Sequence, residues 1–121
     1  MSDTPTTIEL ISRMLQACKN IIYATSNLNS PEDIAKDTFA LENTDICLSL
    51  IIEAYNSLDE DEKVRLSVIR WDKIRTILNL LHKQHKTDED YCTGLYAYKN
   101  DLPYLQKKLE ARLAEMRYNT N

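Results

Sequence analysis

Four polar side chains in the stretch WDKIRTILNLLHKQHK could do chemistry together. Arg75, Asn79, His82 and Lys86 stand at i, i+4, i+7 and i+11. At about 100° of turn per residue, that spacing puts them in one stripe of a helix. A guanidinium can clamp a phosphate through paired hydrogen bonds, and an imidazole can take or give a proton near neutral pH. An arginine and a histidine two turns apart could therefore hold a phosphodiester and move its proton without a metal. His82 and His85 at i, i+3 have no acidic third ligand fixed by spacing, so no metal and no cofactor is expected. An ordinary solvated face fits the same stripe.

The elements that must carry this stripe are helical. One glycine and three prolines leave little turn chemistry, and no strand-like alternation is visible. Ile8, Ile11, Leu15, Cys18 and Ile22 form the seam of a first helix, with Thr6 or Thr7 as cap and Glu9 in its first turn. TSNLNSPED breaks it, and Ser30-Pro31-Glu32-Asp33 starts the next. Leu41, Leu48, Ile51, Tyr55 and Leu58 share a face of that second helix, and its run CLSLIIEAY suits the most central position. SLDEDEK reads as a turn into a further helix start. Trp71, Ile74, Leu78 and Leu81 define the seam of the third long helix, and Lys86-Thr87-Asp88 the break after it. The last region carries Tyr91, Leu95, Tyr98, Leu102, Leu105, Leu109, Leu113 and Met116. Pro103 lies inside this pattern, which predicts a kink or restart near Asn100-Asp101. The fold class is all-α: an antiparallel four-helix bundle with a short extra helix, one domain over residues 1–121.

Composition narrows the function. A net charge of −4 argues against a general polyanion coat. A local basic strip survives, because Lys63, Arg65, Arg70, Lys73, Arg75, Lys83 and Lys86 fall within one third of the chain. Cys18, Cys47 and Cys92 are odd in number, form no C-x-x-C pair and sit in apolar patterns, as buried thiols in a reducing cytosol do. The start MSDTPTTIELISRML lacks the layout of a signal peptide, and no apolar run nears the ~20 residues that span a bilayer. A cytoplasmic protein without a membrane partner is expected.

Three segments resemble the HEPN superfamily, and within it the HepT-like toxins paired with MNT-type nucleotidyltransferase antitoxins. LIIEA at 50–54 is similar to the family's run ending Ile-Gly-Glu-Ala. Trp71 follows at the family's separation, and Ile74 and Asn79 match its W-x-x-I and Arg-Asn elements. NDLPYLQKKLE resembles its Asp-Leu-Pro ahead of a leucine-spaced helix. Together these cover about residues 8 to 113. The resemblance implies a HEPN-like bundle, a homodimer with RNA acted on between subunits, and a nucleotidyltransferase partner that silences the toxin by placing AMP groups on a tyrosine.

The family's chemical motif is not intact. Its arginine position holds Leu78, its histidine position Lys83 and its tyrosine position His85; Asn79 alone is retained. A shifted pair, Arg75 and His82, falls within the arc of the lost positions. In that pair His82 would act as general base or acid and Arg75 as phosphate clamp. Asn79 would lie between them, and Glu53, matching the helix-two glutamate, would orient one of them. As an ordinary structural residue, Glu53 would be a buried carboxylate paired to a cation. Trp71 is expected as a core anchor rather than a base-stacking platform. The tyrosines at 91, 96, 98 and 104 are expected to mix core with subunit contact. Tyr91 is the nearest downstream substitute for the missing AMP acceptor.

The resulting expectation is a HepT-like partner of an MNT-type nucleotidyltransferase with weakened or lost ribonuclease activity. The alternatives are an active metal-free endoribonuclease using Arg75 and His82, and an unrelated helical interaction module.

Overall fold

Local capping chemistry sets where most of the helices begin. The computed structural model describes residues 4–83 and 89–119, with side chains over 4–79 and 91–118. These form α1 (Thr7–Thr25), α2 (Pro31–Lys36), α3 (Thr38–Asn56), α4 (Glu60–Arg65), α5 (Trp71–Lys83), α6 (Glu89–Tyr98) and α7 (Leu102–Asn119). No strand occurs among the described residues. Thr6 opens α1 with a capping box: its hydroxyl accepts from the Glu9 N–H at 3.1 Å, while the Glu9 carboxylate accepts from the Thr6 N–H at 3.2 Å. Those bonds hold the exposed Glu9 carboxyl below its ordinary range. Ser30 caps α2 ahead of Pro31, and Asp59 caps α4.

The second helix expected from Pro31 onward is divided. Asp37 takes an extended backbone conformation and its carboxylate accepts from the Ala40 N–H at 3.0 Å, so it ends α2 and caps α3. A capping side chain competes with the helix's own ladder, and apolar periodicity alone does not register that competition. The restart near Pro103 occurs as expected: α6 ends at Tyr98, and Pro103 stands in the first turn of α7, where a missing N–H costs no helical bond. The expected break at Lys86-Thr87-Asp88 lies outside the described residues.

α1 and α3 pack antiparallel: Leu10 and Arg13 lie beside Leu50 and Glu53, and Asn43 Nδ2 donates to the Asn20 carbonyl at 3.4 Å. The buried face of α1 is centred on Leu10, Ile11, Met14, Cys18 and Ile21, whereas Ile8, Leu15 and Ile22 are only partly buried. α7 covers another side of α1, and the Cys18 thiol donates to the Leu102 carbonyl at 3.5 Å. α3 also meets α2 and α5, while α6 packs on α2 and α5. Leu48 and Ile51 are wholly buried in the middle of this arrangement, the central place expected for α3.

All three cysteines are buried, and no disulfide forms among the described residues. Burial pushes the Cys18 thiol up to about 12 and raises that of Cys47. No described helix is long and apolar enough to cross a membrane.

Candidate functional site

α5 presents the polar stripe as its amphipathic pattern requires. Trp71, Ile74, Ile77 and Leu78 turn into the core, leaving Asp72, Lys73, Arg75, Thr76 and Asn79 exposed. Trp71 is a core anchor: its indole N–H donates to the Leu66 carbonyl at 3.0 Å, and its ring stacks on Tyr55 at 4.2 Å between centroids. Arg75 then lies with its guanidinium carbon 5.5 Å from the Tyr55 ring centroid, and Lys63 Nζ lies 5.6 Å from the same centroid. Tyr55, from α3, thus positions Arg75 through a cation–π contact.

The charge accounting around α5 separates Arg75 from its neighbours. Arg70 is matched by Asp72 at 3.0 Å, Lys73 by Asp101 at 3.2 Å and Lys63 by Glu60 at 3.6 Å. Within the Arg70–Asp72 pair, the mutual hydrogen bonds lower the carboxyl and raise the guanidinium. Arg75 has no carboxylate partner among the described residues. Its five N–H donors are open to an incoming anion, with the exposed Asn79 one turn away. The backbone of α5 runs unbroken through position 82, two turns beyond Arg75; the His82 side chain lies outside the described residues, as do Lys83, His85 and Lys86 as contributors to the basic strip.

Glu53 is not brought to Arg75. It is exposed, and it lines a cavity of about 200 Å³ with Arg13, Leu10 and Leu50 at the α1–α3 boundary. Tyr55, two residues on, points to the α5 side instead. Neither a buried carboxylate nor an orienting contact to Arg75 is formed, because two residues along a helix turn a side chain by about 200°.

The tyrosine cluster divides between core and surface. Tyr91 and Tyr98 are buried, Tyr96 is half-buried and only Tyr104 is well exposed. Desolvation raises the phenols of Tyr91 and Tyr98 far above their ordinary value. Tyr91 cannot accept a nucleotidyl group without leaving the core, so its position along the chain is misleading.

A second polar site was not foreseen. Glu62, nearly buried at the start of α4, accepts two hydrogen bonds from Arg112 of α7, at 2.6 and 2.9 Å, and Arg112 also meets Glu115 at 3.2 Å. The available signal was local: Tyr104, Lys108, Arg112 and Glu115 recur on one face of α7. Their partner from α4, fifty positions away, left none.

No family model, no curated protein and no solved structure matches the chain.

Proposed function

We propose that this chain is a HepT-like member of the HEPN superfamily, partner to an MNT-type nucleotidyltransferase, whose own ribonuclease activity is weakened or lost. In this reading α1, α3, α5 and the α6–α7 unit are the four long members of a HEPN-like bundle, which associates as a homodimer in the cytoplasm. The observation that carries the reading is Leu78. The family's motif needs an arginine there, reaching a phosphate; Leu78 is instead 8% exposed and packed into the core. A position given over to apolar packing has no donor with which to hold an anion. A contact surface is available elsewhere: Phe39, Ile46 and Leu50 stand at i, i+7 and i+11 on α3, 45–64% exposed.

Arg75 favours a second reading, an active metal-free endoribonuclease with a shifted pair. Its guanidinium is exposed, held over Tyr55 and unmatched by a carboxylate among the described residues.

Expression in a bacterial host with and without a transferase encoded beside it separates these readings. The main reading expects no growth arrest from the chain alone and co-purification with the transferase. Arrest abolished by His82→Ala but not by His85→Ala selects the shifted pair. A monomer that neither arrests growth nor retains the transferase overturns both.

A further inference from the structure

Between the connection that joins α4 to α5 and the outer face of α7 lies a concavity of about 350 Å³. This is at the lower end of the roughly 300–1,000 Å³ typical of small-ligand sites. Three cations line it: Arg65, Lys108 and Arg112. Arg112 is locked in place, since its Nε and one terminal nitrogen are committed to the nearly buried Glu62, which leaves its remaining edge facing the concavity. Arg65 and Lys108 have no carboxylate partner among the described residues; Lys108 rests on the Tyr104 ring, with Nζ 5.2 Å from the centroid. The fourth charged group lining it is Glu115, whose carboxylate meets Arg112 Nη1 at 3.2 Å while its side chain stays 63% exposed.

We propose that this concavity is a binding site for a phosphomonoester or pyrophosphate group, held by Arg65, Lys108 and the fixed edge of Arg112, with Glu115 as the internal oxyanion that the ligand displaces. Counting formal charges, three cations against Glu62 and Glu115 leave +1, and release of Glu115 to solvent leaves +2 for a polyvalent anion. A fixed guanidinium flanked by two adaptable cations suits a tetrahedral oxyanion, because donors arrive from several directions and one is already ordered. The dominant cost is loss of the Arg112–Glu115 pair. Because the Glu115 carboxylate is largely solvated, its pair with Arg112 contributes little, and a doubly charged ligand outcompetes it. The site lies on α4 and α7 and is independent of the function proposed for α5.

Trp71 provides the readout. It is the single tryptophan of the chain, and its indole is bonded to the carbonyl of Leu66, which lines the concavity. Inorganic pyrophosphate titrated at constant ionic strength should change Trp71 emission saturably. Arg65→Ala and Lys108→Ala should each weaken that binding roughly tenfold, the scale of one charge-assisted hydrogen bond. Glu115→Gln should tighten it several-fold. Because Arg65, Lys108 and Glu115 are surface groups, these variants test binding without removing the Glu62–Arg112 pair. A response no larger than that of matched chloride, or an affinity unchanged in Glu115→Gln, overturns the proposal. Short RNA carrying a 5′-phosphate should compete only if the group arrives on a nucleic-acid end. No competition by the 5′-phosphate or 5′-hydroxyl form assigns the site to a small phosphate ligand. Equal competition by both forms, which backbone charge alone produces, overturns it.

Discussion

The contact of α1 with α3 and the contact of α4 with α7 hold the same chain together by different physics. At the first, Ile11, Met14 and Ile21 face a surface containing Leu48 and Ile51, all wholly buried. No ion pair crosses that contact among the described residues. At the second, Glu62 and Arg112 meet with side-chain exposures of 7% and 15%. Apolar burial is nondirectional and grows with area, so the α1–α3 contact tolerates small shifts of register but not loss of volume. A nearly buried ion pair behaves the other way. Its net stabilisation over a well-packed apolar pair is small, but removal of one partner strands a charge. The α1–α3 contact therefore supplies stability, and the α4–α7 contact specifies how one particular connection lies on α7.

The sharpest way to break that contrast is to delete volume from the apolar side. Ile51→Ala should cost about 3–4 kcal/mol, read as a lower urea midpoint at unchanged slope. A loss under about 1 kcal/mol would mean that α3 is not the packing centre. On the charged side, Arg112→Ala should cost about 3 kcal/mol, whereas the double change Glu62→Leu with Arg112→Met should fall within about 1 kcal/mol of the original chain. If single and double variants lose the same amount, the pair acts through shape and not through charge.

The smallest effect comes from alkali acting on the Cys18 thiol of the apolar side. Burial raises the Cys18 thiol from its ordinary value of 9.0 to about 12, so the folded chain holds that proton more tightly than the unfolded chain does. Stability from this group is complete below pH 9 and is lost as pH rises toward 12. By pH 10 the loss should reach about 1 kcal/mol, and the decline should be shallower in Cys18→Ala. Equal slopes would show that the thiol is not the group being ionised.

Legibility followed the range of the interactions. The starts at Thr6 and Ser30 could be read because a cap and its N–H donor lie within a few residues of each other, and the restart at Pro103 because proline removes one donor from its own first turn. Trp71 as an anchor and the exposed stripe of Arg75 and Asn79 could be read from the period of one helix. Asp37 was missed because its side chain interrupts a pattern whose apolar spacing continues past it. Glu53 and Tyr91 were misplaced because a position along the chain gives no direction toward a neighbouring helix. One of them now stands beside Arg13 in the open, and the other is enclosed in the core.

By itself, then, the sequence determined an all-helical chain, the main capped starts and the polar side of α5, since each depends on bonds or periods confined to a few turns. Only the tertiary structure decided that Tyr55 holds Arg75, that Glu62 faces Arg112, and that Arg65 and Lys108 line one concavity. Those pairings join residues many turns apart, and their geometry exists only once apolar burial has fixed how the helices cross.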